Sequence, residues 1–451
     1  MKRPAAKKPR HAGDEGRQTV WTDDEFDLQS FLASLLSDAG LEQSQTDGGL
    51  RRQTPLMMAG GCDGTGLPHY VVSKMLKKGE VASVCASEMK QAPAMFMLRQ
   101  TETFDVDHIF KDIKYSVRGS GPCWVHNRCC KLSDPSMQNL DLFVSGFSCK
   151  LNSRSNSERY TSDPIDLNKP ECQTFVESLA FVKKHRPKFY VLENVLGALQ
   201  PRIKGGRQTP LMWYEEALQS DLPDYTHAAM VVDALPQSES RARVVLLGSS
   251  DSNFVASDWV REVSILSEMC SQMPRHSAAA FSWSDKGPVS KARSVMEDDT
   301  EKAVKAKRIP SDVKPPPVKR RASSGTEMGA WHRAQVDVYE MMLQSAGLGT
   351  SDPLADLSQT VDRGHYRSDG GLATLTTGCL WYNYQKKGFM DKADMVRGLG
   401  LNPAEVDYSC HTLSELREML GNGMRAAMLV KVCLPILTYL KYFNFVPGHP
   451  R

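Results

Sequence analysis

The chain lacks any long hydrophobic run and any strong excess of one charge. No stretch of about 18 apolar residues occurs, which argues against a transmembrane helix. The formal net charge of the 451 residues is +3, too small to indicate a partner by itself. The basic N-terminus, MKRPAAKKPR, has no apolar segment behind it, so a secretory signal is not expected.

Cysteine is present but follows no disulfide framework. Eleven cysteines are scattered along the chain without regular spacing. This pattern favours a reducing compartment and free thiols. The densest group is CWVHNRCC, which contains Cys123, His126, Cys129 and Cys130. Zinc sites use such spacings, but the cluster has no second half along the chain, so a loop of free thiols without metal is the preferred interpretation.

Two basic segments are predicted to lie outside any core. Residues 1–50 are expected to form a disordered basic tail and a short amphipathic helix capped by Thr22. Within the tail, KRPAAKKPR is typical of a nuclear-import address, so the nucleus is the expected location; a solvated charged tail is the alternative. Residues 286–329 are basic and proline-rich, which predicts a linker.

Between these segments, short apolar runs alternate with helical patterns from about residue 54 to residue 250. This alternation is typical of a parallel sheet covered by helices, and it predicts an α/β fold. Seven runs are predicted to be strands: PLMMAG, VASVCAS, HIFKDI, LDLFVSG, KFYVLEN, AAMVVDAL and RVVLLGS. The segment CQTFVESLAFVKKH is predicted to be a helix before the fifth strand.

A glycine-rich turn, AGGCDGTGLP, follows the first predicted strand. Glycines let the backbone bend sharply and approach a ligand closely. Glu88 ends the second strand about 20 residues after Gly66, a spacing that suits a carboxylate bonded to ribose hydroxyls. Asp112 and Ile113 end the third strand, where an acid could meet an adenine amino group. Together these features favour a nucleoside cofactor site.

Polar residues also follow later strands. Cys149 lies in a polar loop after LDLFVSG, where a cysteine with basic neighbours can act as a nucleophile. Glu193 ends the fifth strand at the edge where open α/β sheets bind ligands, although it could instead cap the next helix. Arg241 and Arg243 share one face of an extended segment, although an exposed basic strand start would explain them as well.

The order of these motifs resembles the cytosine-5 DNA methyltransferase family. GFSC after one strand, ENV after the next, PQ and RAR before another, and GNGM near the C-terminus occur in the family's order. The resemblance covers about 54–250 and 372–440 and implies a Rossmann-like class I methyltransferase sheet with a small target-recognition region. The implied division is a catalytic and cofactor-binding domain at 51–250, the target-recognition region at 251–371, and a C-terminal segment at 372–445 that completes the catalytic domain.

The cofactor that the resemblance implies is S-adenosyl-L-methionine, and the implied partner is double-stranded DNA with a flipped cytosine. Ser153, Arg154 and Asn194 are implied to contact the nucleic acid, and no membrane partner is expected. The residues implied to hold the cofactor are Gly60, Gly61, Gly64, Gly66, Glu88, Met89, Asp112, Ile113, Ser148, Asn422 and Gly423.

The resemblance also implies a catalytic mechanism. Cys149 would add to C6 of cytosine, which makes C5 nucleophilic enough to take the methyl group. Glu193 would hydrogen-bond N3 and the exocyclic amine. Arg243, together with Arg241, would hold the base carbonyl and keep the thiol acidic.

Two positions near the cysteine depart from the family pattern. Ser148 and Lys150 stand where the family usually has proline and glutamine. Serine restores a backbone N–H and is expected to loosen the loop, while Lys150 would help to depress the thiol pKa. Two alternatives stay open. One is methylation of RNA, although the CFT tripeptide of the transfer-RNA branch is missing. The other is a catalytically inactive nucleic-acid-binding regulatory homologue.

Overall fold

The computed structural model describes residues 21–22, 24–44, 52, 54–100, 103–132, 137–153, 170–201, 206–284, 330–345, 353–358, 365–367 and 369–446. Residues 1–20, the linker at 286–329 and Arg154 lie outside these ranges. The predictions made for them stay predictions.

The described strands are short and numerous. In chain order they are β1 (Trp21–Thr22), β2 (Leu41–Gln43), β3 (Leu56–Gly61), β4 (Val81–Ser87), β5 (Ile109–Phe110), β6 (Ser120–Cys123), β7 (Arg128–Lys131), β8 (Leu142–Ser145), β9 (Phe189–Val195), β10 (Thr226–Val232), β11 (Arg243–Ser249), β12 (Arg275–His276), β13 (Leu354–Asp356), β14 (Tyr366–Arg367), β15 (Trp381–Asn383), β16 (Gly388–Phe389) and β17 (Phe443–Phe445).

Helices separate most of these strands. In chain order the α-helices are α1 (Leu28–Asp38), α2 (Leu67–Met75), α3 (Gln91–Leu98), α4 (Ile113–Arg118), α5 (Pro170–His185), α6 (Pro210–Asp221), α7 (Ala256–Gln272), α8 (Ala330–Ser345), α9 (Lys392–Leu399), α10 (Leu413–Asn422) and α11 (Ala426–Tyr439).

The main sheet contains all seven strands that the sequence predicts. Its order is β10-β11-β9-β8-β3-β4-β5-β6-β7. The strands from β9 to β5 are parallel to their neighbours, whereas β11 runs antiparallel to both β9 and β10. The chain leaves β3 in one direction and later returns on its other side at β8, which makes a topological switch point between them. The predicted α/β fold with a Rossmann-like sheet is confirmed.

Apolar side chains that alternate in direction along the strands form a hydrophobic core on each face of this sheet. Along β8, Phe143 packs in one apolar cluster and its neighbour Val144 packs in the other. Successive side chains of a strand point to opposite faces, so a strand that is apolar throughout needs cover on both sides. Helices α2, α7 and α11 contribute to one core, and α5 and α6 contribute to the other.

The helix α7 belongs to the body of the main sheet. Trp259 is fully buried and donates its indole N–H to the carbonyl of Val432 in α11 at 2.8 Å. The Ala256 N–H donates to the Thr226 hydroxyl on β10 at 2.9 Å. The sequence division places this helix in the target-recognition region at 251–371, and in the structure it packs against the main sheet.

Two other local predictions need correction. The first helix starts at Leu28 rather than after Thr22, because the Asp27 carboxylate caps it by accepting the Ser30 N–H at 2.7 Å. The CWVHNRCC segment forms the hairpin β6–β7 rather than a loop.

A second, four-stranded sheet has the order β14-β13-β15-β16. Its apolar face shares a small core with α8, in which Tyr339 and Tyr382 are buried. None of the described helices is by itself long and apolar enough to cross a membrane; α10 and α11 meet that criterion only as a pair bent by 43°.

Candidate active site

A cavity of about 500 Å³ lies at the carboxyl edge of the main sheet. Its wall comes from the loops after β3, β4, β5 and β8, from the end of β9, from the segment entering β11, and from residues of α3, α5 and α10. The sequence-predicted residues that line it are Gly64, Glu88, Met89, Asp112, Ile113, Ser148, Cys149, Glu193, Arg241, Arg243, Asn422 and Gly423. Folding therefore brings all four predicted catalytic residues and eight of the eleven predicted cofactor residues to one cavity.

The strand order divides this cavity into two halves. Cys149 follows β8, Glu193 lies in β9 and Arg243 begins β11, all on one side of the switch point. Glu88 and Asp112 follow β4 and β5, on the other side. Because β11 is antiparallel to β9, its first residue, Arg243, lies at the carboxyl end of β9.

Three predicted cofactor glycines shape the turn without lining the cavity. A Cβ on Gly60 would lie 2.1 Å from a carboxylate oxygen of Asp63, and one on Gly61 would lie 2.8 Å from the Phe143 ring. Gly66 has a φ of 71°, and a Cβ there would meet Met97 at 2.7 Å. We therefore assign Gly60, Gly61 and Gly66 to turn packing, and among these glycines only Gly64 lines the cavity.

Glu88 is held by two backbone N–H groups. Gly64 donates to its Oε2 at 2.9 Å, and Lys90 donates to its Oε1 at 2.7 Å. Burial raises the pKa of the Glu88 carboxyl to about 7, against the opposing effect of these two hydrogen bonds. Its neighbour Met89 is 69% exposed beside the cavity. This half therefore offers an acceptor carboxylate next to an accessible apolar surface.

The loop that carries Cys149 is a tight turn. The N–H groups of Asn152 and Ser153 donate to the Cys149 carbonyl at 2.9 and 2.8 Å. The amide of Asn194 braces this turn: it donates to the Phe147 carbonyl at 3.2 Å and accepts from the Asn152 side chain at 3.0 Å. Asn194 is 1% exposed and positions the loop, and its contact with nucleic acid stays a prediction.

Ser153 is absent from the cavity wall, and Arg154 lies outside the described residues. The contact of these two residues with nucleic acid stays a prediction. Ser148 lines the cavity, and its backbone N–H donates to the Thr174 hydroxyl on α5 at 2.9 Å. The N–H that serine restores therefore ties the loop to a helix, which is contrary to the expected loosening.

The electrostatic environment of Cys149 differs from the expectation. Burial raises the pKa of the Cys149 thiol above its ordinary value, and the Glu193 charge raises it further. Arg243 and Arg241 act in the opposite direction but do not reverse the rise. The two arginines therefore shift this pKa in the expected direction, but they do not keep the thiol acidic in the free site.

Glu193 and Arg243 form a buried ion pair in the cavity wall. The Arg243 Nε lies 2.9 Å from the Glu193 Oε1, and the Arg243 side chain also donates to the Ala242 carbonyl at 2.9 Å. Burial lowers the pKa of Arg243 to about 10, with Arg241 adding to the fall. The guanidinium stays charged at neutral pH, so the pair is a fixed pattern of donors and acceptors at the cavity surface.

Arg241 has a different role from Arg243. Its guanidinium donates to the carbonyls of Leu375, Gly421 and Gly423 at 2.9, 2.9 and 3.0 Å. These contacts fasten the C-terminal segment to the strand that carries Arg243. Arg241 lines the cavity, but its polar atoms are mainly used for positioning.

Sequence reasoning missed two members of this network, Glu239 and Arg425. The Glu239 carboxylate accepts the Leu375 N–H at 2.7 Å and pairs with both Arg241 and Arg425. A usable signal was present, since Glu239 lies between the PQ and RAR motifs, and Arg425 directly follows GNGM.

The network leaves one positive charge in excess next to the cysteine. Three guanidinium groups, Arg241, Arg243 and Arg425, face two carboxylates, Glu193 and Glu239. All five side chains are buried. A thiolate at Cys149 would balance this charge, so the site favours a negative group there once the desolvation cost is met.

No protein-family model and no curated protein matches the chain. Among solved structures, the chain is similar to one described as a DNA modification methyltransferase encoded within a prophage, from E. coli. The two share 13% sequence identity with a TM-score of 0.44, and the match covers 85% of this chain and 99% of that one. A similarity at this level assigns no function, which has to be argued from the cavity.

Proposed function

We propose that the protein transfers a methyl group from S-adenosyl-L-methionine to C5 of cytosine in DNA. The observation that carries the proposal is a single cavity that joins Cys149 and the Glu193–Arg243 ion pair to the Glu88 carboxylate. A nucleophile and a charged pair for the substrate base thus share one space with an acceptor for a nucleoside.

The residues on the Glu88 side fit this cofactor. Glu88 would accept hydrogen bonds from the ribose hydroxyls, and the exposed side chain of Met89 would cover the adenine. At Gly64, no atom lies within 4 Å of the place where a Cβ would stand, so the backbone there is open to a close approach. When bound, the cofactor would supply an electrophilic methyl group.

The Cys149 side fits covalent activation of a pyrimidine. Cytosine C5 is a weak nucleophile until a thiolate forms a bond to C6 and turns the ring into an enamine. Cys149 would first lose its thiol proton to solvent, a step that Arg243 and the excess positive charge of the network favour. After C5 gains the methyl group, a water molecule or hydroxide acting as base would remove the C5 proton. The C5–H electron pair then restores the ring double bond as the C6–S bond breaks and releases the Cys149 sulfur.

The Glu193–Arg243 pair would hold the base during this addition. The Arg243 guanidinium would donate to the base carbonyl, and Glu193 would face N3 and the exocyclic amine. The base must leave the helical stack to reach a buried cavity, so we propose a flipped cytosine as the substrate. A nuclear location belongs to the same proposal and rests on the basic sequence KRPAAKKPR.

The proposal is tested by methyl transfer from radiolabelled S-adenosyl-L-methionine to double-stranded DNA and to transfer RNA. Full-length wild type, Cys149→Ser and the control Cys410→Ser are compared, because Cys410 is an exposed cysteine outside the cavity wall. We expect wild type and Cys410→Ser to label DNA and Cys149→Ser to lose the activity.

A second substrate tests the covalent step. DNA with 5-fluorocytosine cannot lose a C5 proton, so the enzyme should stay attached through Cys149 after methyl transfer. A denaturation-resistant complex with wild type and Cys410→Ser, but not with Cys149→Ser, would support the mechanism. Labelling restricted to RNA would overturn the DNA assignment. Binding of DNA without labelling of either nucleic acid would overturn the enzymatic proposal and indicate a regulatory protein.

A further inference from the structure

The hairpin β6–β7 and the residue before β5 bring four ligating side chains together. They are His108, Cys123, His126 and Cys130, and their ligating atoms all lie within 4.8 Å of one another. The Cys123 Sγ is 3.6 Å from the His126 Nδ1 and 4.0 Å from the His108 Nδ1. The sequence shows three of these residues in one segment, but His108 comes from a separate segment of the chain.

These separations are close to those of a tetrahedral zinc site. Zinc binds cysteine sulfur at about 2.3 Å and histidine nitrogen at about 2.0–2.1 Å, which places neighbouring ligand atoms of a tetrahedron about 3.3–3.8 Å apart. Small side-chain rotations would close the remaining gap. Two thiolates and two imidazoles also match the ligand set and the charge that zinc prefers.

We propose that His108, Cys123, His126 and Cys130 bind a structural zinc ion. Cys123 is fully buried, whereas His126 is exposed. One ligand is therefore held in the protein interior, and the ion can reach the cluster from solvent. With four protein ligands the ion has no open coordination position. It therefore serves the fold rather than the chemistry.

The proposed ion would reinforce a thin part of the sheet. Between β5 and β6 the register contains one residue pair, Phe110 with Cys123. Two backbone hydrogen bonds lie beside this pair: the Trp124 N–H donates to the Ile109 carbonyl at 2.8 Å, and the Lys111 N–H donates to the Pro122 carbonyl at 3.0 Å. A metal bound by His108 on one side and by the hairpin on the other would join these strands where the backbone ladder is shortest.

The same hairpin supports the wall of the cavity. The Trp124 indole N–H donates to the Glu88 carbonyl at 2.9 Å, and the Lys111 ammonium lies 4.1 Å from the centre of the Trp124 ring. The zinc ion would therefore stiffen the backbone that presents Glu88. The metal site itself does not depend on the proposed function.

The test is zinc content, measured by elemental mass spectrometry on full-length protein purified in reductant. We expect about one zinc ion per chain for wild type and for Cys129→Ser, and a loss of nearly all zinc in Cys130→Ser and His126→Ala. Cys129 is the matched control because it is the exposed neighbour of Cys130 and is not part of the cluster.

Cobalt substitution of wild type gives a reading that does not rely on variants folding correctly. Visible absorption bands typical of tetrahedral cobalt with thiolate ligands are expected, and these bands should be missing from folded Cys130→Ser. Three results would overturn the proposal: wild type without zinc after incubation with zinc salt, full zinc content in Cys130→Ser, or a Cys123–Cys130 disulfide in metal-free native protein.

Discussion

The backbone N–H of Ser148 donates a hydrogen bond to the Thr174 hydroxyl at 2.9 Å. This bond ties the residue before Cys149 to the first turns of α5. Thr174→Val keeps the shape of the side chain and removes the acceptor, so the Ser148 N–H loses its partner. We expect a loss of about 1 kcal/mol in the free energy of unfolding. We also expect lower methyl transfer with little change in cofactor affinity.

Urea unfolding measures the stability, the methyl-transfer assay measures the activity, and titration with S-adenosyl-L-homocysteine measures the cofactor affinity. Thr174→Ser, which keeps a hydroxyl, is the control and should behave like wild type. If Thr174→Val equals wild type in both stability and activity, the hydrogen bond between Ser148 and Thr174 does not position Cys149.

The sequence predicted seven of the nine strands of the main sheet because each of the seven is a short apolar run. It missed β6 and β7, whose sequences, SGPC and RCCK, are not apolar runs. It also predicted which residues meet, because parallel strands end at one edge and loops after neighbouring strands converge there. Glu88, Cys149 and Glu193 reach the same cavity for this reason.

The sequence did not reveal the side-chain contacts that come from distant segments of the chain. Arg241 looked like a pair with Arg243, but carbonyls from the C-terminal segment occupy its guanidinium. The resemblance implied that Asn194 contacts nucleic acid, but in the free protein the Cys149 loop folds over its side chain. The sequence also did not indicate that His108 lies near Cys123, since their proximity depends on the pairing of β5 with β6 through a single residue pair.

Gly197 lies where the Cys149 loop crosses the turn after β9. A Cβ at this position would stand 1.7 Å from the backbone carbonyl oxygen of Asn152. Gly197→Ala must therefore displace the loop, and we expect a loss of about 3 kcal/mol in the free energy of unfolding. Activity should fall more steeply than stability at temperatures where the variant is folded.

The matched control for Gly197→Ala is Gly378→Ala. At Gly378 no atom lies within 4 Å of the Cβ position, so this variant should be as stable as wild type. Chemical denaturation and the methyl-transfer assay give the comparison. Equal stability of the two variants would show that the loop does not pack on Gly197 as described.

Glu239 holds two buried guanidinium groups, those of Arg241 and Arg425. Glu239→Ala leaves both positive charges without their carboxylate partner, so we expect a loss of about 3–5 kcal/mol in the free energy of unfolding. Glu239→Gln should recover part of this loss, because its amide oxygen can still accept the Leu375 N–H.

The contrasting variant is Glu405→Ala, which removes an exposed carboxylate 2.6 Å from the Lys74 ammonium. An exposed pair of this kind contributes about 1 kcal/mol or less. Urea unfolding of both variants at one pH and salt concentration measures the difference. Similar losses for Glu239→Ala and Glu405→Ala would contradict the structural role of the buried network.

The raised pKa of Glu88 predicts a pH dependence of cofactor binding. Burial moves the pKa of its carboxyl from 4.5 to about 7, so the protonated form is favoured in the free protein. The stabilising effect of that proton is complete below about pH 4.5 and is lost as the pH rises through about 7. The ionised carboxylate is the stronger acceptor for ribose hydroxyls, so binding should change in the opposite direction.

Affinity for S-adenosyl-L-homocysteine should therefore weaken as the pH falls through about 7. Isothermal titration calorimetry across this range measures the effect, with Glu88→Gln as the comparison. The amide cannot ionise, so the variant should bind more weakly than wild type at high pH and lose this pH dependence. An unchanged pH profile in Glu88→Gln would assign the titration to another group and remove Glu88 from the ribose contact.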